Sequence, residues 1–127
     1  MSIVFSNVSI EKMNFINEKN DIKFEFIDSY KDSNNYCGEM TCKNIYTFKM
    51  DTAFEDDEFC FPCFICDITS VKLDKSQIDL NFKKLEYEYK YSDGTIIPKS
   101  EEYHLVRMEG GEVNISIICG KVELNKL

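Results

Sequence analysis

Apolar and polar residues alternate with a period of two along most of this chain, and the alternation is clearest in residues 84–91. One parity of that segment carries Leu85, Tyr87, Tyr89 and Tyr91, and the other carries Glu86, Glu88 and Lys90. A period of two is typical of a β-strand that buries one face and wets the other. Asp93-Gly94 follows at once and favours a tight hairpin turn, so we expect the next segment to return antiparallel.

Three strands are predicted in the first half of the chain. Residues 22–26 alternate cleanly, and an opening strand within residues 3–16 precedes them, so the two should form a hairpin. Residues 39–50 alternate over a longer stretch, and the pattern breaks only at Asn44 and Ile45. We therefore expect a hairpin followed by a long third strand.

Residues 59–68 form a nearly continuous apolar run, which predicts a strand buried on both faces for part of its length. Pro62 cannot donate to a ladder, so it belongs at an edge, at a bulge or at the first position of that strand. Residues 51–58 are either an ordered acidic loop or one helical turn. Shorter alternating stretches follow at 71–73, 78–82, 95–97, 102–108 and 113–119, with Gly110-Gly111 as a further turn.

Taken together, about eight short strands separated by turn signals, with at most one short helix, indicate an all-β fold. We expect an antiparallel β-sandwich or open barrel. A chain of 127 residues is a usual length for one domain, and no linker or internal repeat interrupts it. Residues 1–127 should therefore form a single domain.

The net charge of the chain limits the classes of partner that it can be expected to bind. The chain has 23 acidic and 15 basic residues, a formal charge of -8, which disfavours binding to nucleic acid or to an anionic membrane surface. A basic protein partner would suit it better. The N-terminal residues lack a positively charged region before an apolar run, and no stretch approaches the roughly 20 apolar residues of a membrane span. We expect a cytoplasmic protein with reduced cysteines.

The spacing of Cys60, Cys63 and Cys66 is the sharpest chemical motif, because Cys-x-x-Cys repeats hold zinc and iron–sulfur clusters. On a continuous strand, however, Cys60 and Cys63 would point to opposite faces and Cys60 and Cys66 would lie about 20 Å apart. We therefore expect no metal and no cofactor. A thiol or metal protein built on these three cysteines is the alternative, and Cys37, Cys42 or His104 could complete a zinc site.

Acidic residues supply the candidate binding surface. The cluster consists of Asp51, Glu55, Asp56, Asp57 and Glu58. It lacks the glycine and the alternating oxygen ligands of a calcium loop, so it is either a solvated loop or a contact patch for a basic partner. His104 lies in an apparent strand with no nucleophile motif nearby, so no catalytic residue is predicted and the protein is not expected to be an enzyme.

Two segments carry a resemblance to a known class of proteins. These are Phe64-Ile65-Cys66-Asp67-Ile68 and the C-terminal residues 115–123. On them the chain resembles the small, acidic, all-β immunity proteins of bacterial toxin systems and related uncharacterised families. The resemblance implies a non-enzymatic module that binds and blocks a basic toxin, and it assigns no functional residue. Oligomeric state and a small-molecule pocket in a barrel mouth stay open.

Overall fold

A computed structural model describes residues 2–16, 18, 20–28, 36–52, 62–74, 77 and 103–126. The strands are β1 (Ser2–Ile16), β2 (Asp21–Asp28), β3 (Tyr36–Thr52), β4 (Cys63–Leu73), β5 (Tyr103–Glu109) and β6 (Val113–Lys126). These described ranges contain no α-helix. The predicted strand of residues 84–91, the predicted strands at 78–82 and 95–97, and most of the acidic segment 51–58 lie outside them.

The six strands form one closed barrel in the order β1-β2-β3-β6-β5-β4, and every neighbouring pair is antiparallel. The predicted all-β antiparallel class is confirmed. Where the pattern predicted a sandwich or an open barrel, the pairing of β1 with β4 closes the sheet. Alternation along a strand shows which residues share a face, and it carries no information about which distant strand lies alongside.

The predicted opening strand corresponds to β1, which continues through Asn7 without a break, and the stretches predicted at 59–68 and 71–73 belong to one strand, β4. Asn7 has a φ of 53°, and the outward-facing residues slip by one position there. Such an irregularity interrupts the period of two without ending the strand. Pro62 lies one position before β4, which agrees with its predicted place at the start of the strand proper.

The barrel interior is filled by the alternating apolar residues of all six strands, as expected for a barrel of this size. Its deeply buried members include Ile10, Phe24, Phe26, Met40, Ile65, Met108, Ile115 and Ile117. Phe26 lies at the centre of the aromatic packing, with ring centroids 4.8 Å from Phe5 and 6.2 Å from Phe24. Burial of these side chains is the main stabilising contribution to the fold.

A second, smaller cluster lies on the outer face of the sheet. It contains Leu73, Tyr103 and Ile118, with Tyr46, Val71 and Leu105 packed against them. Ile118 points away from the interior because its two neighbours on β6 belong to the main core. The Tyr46 and Tyr103 rings meet edge to face with centroids 5.0 Å apart. Tyr103 is fully buried.

The tip of the β1–β2 hairpin is fastened to the middle of β3. Ile45 donates its backbone N–H to the Asn20 carbonyl at 3.0 Å, and the Asn20 amide donates to the Ile45 carbonyl at 2.6 Å. The Asn44 N–H donates to the Asp21 carboxylate at 3.1 Å, and Asn44 has a φ of 55°. The pairing of β3 with β6 shifts register just after Ile45, which marks a bulge in β3. This bulge explains why the alternation of the third strand breaks at Asn44 and Ile45 in the sequence.

Candidate functional site

Four carboxylates gather where β3 ends and β5 turns into β6, and we call Asp51, Asp67, Glu109 and Glu112 the acidic end. Asp67 on β4 pairs with Glu109 on β5, and Glu109 pairs with Asn114 on β6. Asp51 on β3 pairs with the same Asn114 from its other side. Paired residues point to the same face and neighbouring strands lie about 4.8 Å apart, so three of the carboxylates form one row across the outer surface.

Arg107 offsets the negative charge of this row only weakly. Arg107 approaches Glu109 with an Nη2 to Oε1 distance of 3.9 Å, and both side chains are about half exposed. An exposed ion pair of this length contributes little. Asp67 accepts a hydrogen bond of 3.2 Å from the Ser6 hydroxyl, yet it lies directly opposite Glu109. Like charges in opposite positions of two strands are destabilising, so the row costs the fold some stability.

The β5–β6 turn places the fourth carboxylate. The Gly110 N–H donates to the Val113 carbonyl at 2.8 Å, which closes the turn. A Cβ atom at Gly110 would lie 2.5 Å from the Phe64 carbonyl oxygen, so the turn packs directly against the start of β4. Glu112 is thereby held beside a cavity of about 290 Å³, whose other lining residues are Cys63, Phe64, Gly111 and Val113. The cavity combines an apolar floor with one exposed carboxylate.

The predicted acidic cluster and this site share one residue. Asp51 is exposed at the end of β3 and belongs to the row, whereas Glu55, Asp56, Asp57 and Glu58 lie outside the described residues. Sequence reasoning missed Asp67, Glu109 and Glu112. They are scattered over 46 positions of the chain (67 to 112), and only the pairing of β4, β5 and β6 brings them together. The Gly110-Gly111 turn signal was the one local clue that Glu109 and Glu112 would share a hairpin end.

A different part of the surface carries oppositely charged residues in contact with one another. On β2, β3 and β6, the Lys23 ammonium lies 3.1 Å from Glu39, and Glu123 lies 3.0 Å from Lys43 and 3.3 Å from Lys121. We call this the paired face. The hydrogen bond that Glu39 accepts from Lys23 holds the pKa of Glu39 below the usual glutamate range. Contact with Lys43 and then Lys121 lowers the pKa of Glu123 in the same way.

Two of the three motif cysteines fall within the described residues. Cys63 is buried on the inner side of β4 and Cys66 is exposed on the outer side. Extended backbone, predicted for residues 59–68, is confirmed from Cys63 onward, and Cys60 lies outside the described ranges. Within those ranges, no group of three or more His, Cys, Asp and Glu side chains could hold a metal ion.

The remaining candidate ligands are distributed over the barrel. Cys42 and Cys119 lie side by side in the core, where their hydrogen bond and then burial raise the pKa of the Cys42 thiol. Cys37 is half-buried on β3. His104 is half-buried on β5, where it pairs with Cys119 on β6 and with Lys72 on β4. A thiol in the position of Cys42 is protected rather than reactive.

Comparisons with known proteins give a family and a fold. A family model described only as "-like" matches residues 3–126. A crystal structure of an uncharacterized protein from Neisseria gonorrhoeae is similar, with a TM-score of 0.64 and 24% sequence identity over 99% of this chain and 97% of that chain. At this identity the likeness concerns the fold alone. No curated protein matches the sequence. Across the described residues, no helix is long and apolar enough to cross a membrane.

Proposed function

We propose that this chain, which belongs to the family whose model matches residues 3–126, is a non-enzymatic protein-binding module that contacts a basic partner through its acidic end. The observation that carries the proposal is the row of Asp67, Glu109 and Asp51 across the outer surface. These carboxylates are arranged against the stability of the fold, since Asp67 faces Glu109 directly. A basic partner would relieve that repulsion on binding.

The net charge of the chain also supports binding to a basic partner. A formal charge of -8 attracts a positively charged protein over long distances and raises its rate of encounter. The paired face contributes little to that attraction at short range, because its carboxylates already contact lysines. The acidic end presents its charge outward, and Asp51, Glu109 and Glu112 are all exposed.

The most specific form of this proposal is an immunity protein that blocks a basic toxin in the cytoplasm. The support for it is the acidic end together with the small all-β fold. The matched family and the similar crystal structure are both uncharacterised, so they add nothing to this finer proposal. A gene for a basic toxin beside the gene for this chain would support it independently.

Affinity capture from the native host tests the binding proposal. Three baits are needed: the unchanged chain, a variant with Asp51→Asn, Glu109→Gln and Glu112→Gln, and a control with Glu25→Gln, Glu39→Gln and Glu123→Gln. Both variants lose three negative charges, so they have the same net charge and differ in which face loses its carboxylates. We expect the unchanged chain and the control to recover the same basic protein, and the acidic-end variant to recover much less of it.

Each bait must first give the same far-ultraviolet circular dichroism and a single cooperative unfolding transition, so that loss of capture is not loss of folding. Equal recovery by all three baits would place the interface away from the acidic end. Recovery of no basic protein by the folded, unchanged chain would contradict the proposed function itself. About one equivalent of zinc, or several of iron, in anaerobically purified protein would favour the thiol or metal alternative instead.

A further inference from the structure

The tip of the β1–β2 hairpin and the bulge of β3 form a small pocket of about 220 Å³. Two hydrogen bonds between Asn20 and Ile45 hold the hairpin tip against the bulge. The residues that line the pocket all belong to the described part of the chain, and they are Phe15, Ile16, Asn20, Asp21, Ile22, Ile45 and Phe48. A pocket of this volume is smaller than a drug-sized site and suits a short aliphatic chain with one polar head group.

Asp21 contributes a buried carboxylate to this pocket, and only 6% of its surface is exposed. Its Oδ1 accepts a hydrogen bond of 3.1 Å from the Asn44 N–H. Within the described ranges, neither an ion pair nor a second hydrogen bond reaches this carboxylate. Burial of a charged group without a counter-ion is costly, because the group has lost the water that would solvate it. A cation bound in the pocket would offset that cost.

The other walls of the pocket are mainly apolar, and two of them are aromatic. The Phe15 and Phe48 rings meet edge to face, with centroids 5.5 Å apart and planes at 78°. Ile22 and Ile45 add aliphatic surface. The face of an aromatic ring attracts an ammonium group, and apolar side chains pack against the methylene groups that carry it. Phe15 is 54% exposed, so a ligand can reach the pocket from solvent.

We propose that this pocket binds a primary ammonium group on a short apolar stem, with Asp21 as its counter-ion and with Phe15 and Phe48 against the stem. A neutral ligand would leave the buried charge unpaired, and an anion would be repelled by it. The Asn44 N–H already engages Oδ1, so a single ammonium contact fits this carboxylate better than the two-point fork of a guanidinium.

The same ammonium group is carried by a free alkylamine and by the lysine side chain of another protein. The inference names the chemistry that they share, and the experiment separates the two sources. It does not depend on the proposed function, because the acidic end could bind a partner whether or not this pocket takes an amine.

Nuclear magnetic resonance titration of the full chain tests the inference with two pairs of probes. One pair is n-butylammonium and n-butanol, and the other is the capped tripeptide Gly-Lys-Gly and its form acetylated on the lysine Nζ. We expect n-butylammonium to shift the methyl signals of Ile22 and Ile45, and n-butanol to bind at least about tenfold more weakly. Binding of n-butylammonium without binding of the lysine peptide would assign the site to a free amine. Binding of both would assign it to any accessible alkylammonium group, lysine included.

Variants of the pocket sharpen the test. Asp21→Asn keeps an oxygen that can accept the Asn44 hydrogen bond and removes the charge. It should weaken n-butylammonium binding at least about tenfold, whereas Asp74→Asn, at an exposed aspartate that does not line the pocket, should leave it unchanged. Phe48→Leu should weaken it about threefold through loss of the ring. If Asp21→Asn does not fold, the comparison of n-butylammonium with n-butanol on the unchanged chain decides the inference alone.

Three outcomes would overturn the inference. Equal affinity for n-butanol and n-butylammonium would show that the pocket selects shape and not charge. Lack of shifts with either ammonium probe at tens of millimolar would remove the site. Lys19 lies two positions before Asp21 in the sequence, and a Lys19→Gln variant that bound n-butylammonium much more tightly would show that the cation is this lysine of the chain itself.

Discussion

The acidic end and the paired face are built from the same residue types and use them in opposite ways. On the paired face, Glu39 and Glu123 each contact a lysine at about 3 Å. At the acidic end, Asp67 faces Glu109, and the Arg107 guanidinium lies 3.9 Å from Glu109. The first arrangement satisfies its charges within the fold, whereas the second leaves them directed outward. Glu25 also lies opposite Glu39, but Lys23 contacts Glu39 there, so the like-charge pair is offset more closely on the paired face than at the acidic end.

The largest predicted difference between the acidic end and the paired face is in the rate at which their cysteines are labelled. Cys66 is exposed next to Asp67 at the acidic end, whereas Cys42 is fully buried beneath the paired face between Thr41 and Lys43. We expect iodoacetamide to label Cys66 at least about a hundredfold faster than Cys42 under native conditions, because Cys42 must wait for opening of the barrel. Peptide mass spectrometry over time measures both rates. Comparable rates would mean that β3 is not held as described.

Adding the captured partner sharpens the same measurement. Cys66 lies beside the proposed contact surface, so a bound partner should slow its labelling while the rate at Cys42 stays the same. Protection of neither residue in a saturated complex would argue that the partner binds elsewhere on the barrel.

The β5–β6 turn should show the next largest effect. Gly110→Ala places a Cβ 2.5 Å from the Phe64 carbonyl oxygen, whereas a Cβ at Gly111 meets nothing within 4 Å. We expect Gly110→Ala to lower the free energy of unfolding by about 2 kcal/mol, since the turn and β4 must move apart. Gly111→Ala should change it by less than about 0.5 kcal/mol. Urea denaturation of both variants measures the difference, and equal effects would show that the turn does not pack on β4.

Removing the like-charge contact should have a smaller effect of the opposite sign. Asp67→Asn keeps an oxygen that can accept the Ser6 hydrogen bond and removes the repulsion with Glu109. We expect the free energy of unfolding to rise by about 0.5 kcal/mol. The control, Glu123→Gln, removes a carboxylate that contacts two lysines and should not stabilise the protein. Destabilisation by Asp67→Asn would mean that the row is structural.

The smallest and most local effect concerns the pKa values of the two glutamates on the paired face. The pKa values of Glu39 and Glu123 lie below the ordinary glutamate value of 4.5, chiefly through Lys23 and Lys43 respectively. A lowered folded-state pKa gives stability that is present above the unfolded-state pKa and is lost as the pH falls through the folded-state value. We therefore expect this face to lose stability only below about pH 4.5. Carboxyl resonances should report both pKa values, and Lys23→Gln should raise that of Glu39 alone.

The sequence contained most of the fold because the period of two is a local property. Burial of Phe24 and Phe26 inside and of Lys23 and Glu25 nearer the surface follows directly from their alternation. The opening strand was predicted at nearly its observed length, whereas the stretches predicted separately at 59–68 and 71–73 belong to one strand, β4. Closure of the barrel could not be predicted from the sequence, because the pairing of β1 with β4 joins residues about 60 positions apart.

The candidate site was much less accessible from the sequence than the fold. Asp51 was singled out because it begins a run of acidic residues, and that signal is purely local. Asp67 and Glu109 carry no such signal, and they become neighbours only through the β4–β5 register. The sequence placed Pro62 at the start of a strand, and it could not say that Cys63, the next residue, lies opposite Ile10 of β1.

The affinity of the captured partner at low and at high salt tests the central claim most directly. If the acidic end forms the interface, the unchanged chain should bind more weakly as salt rises, since exposed charges are screened. The variant with Asp51→Asn, Glu109→Gln and Glu112→Gln should bind at least about tenfold more weakly at low salt and lose most of the salt dependence. The matched control on the paired face should behave like the unchanged chain. Equal affinity and equal salt dependence in all three proteins would contradict the account.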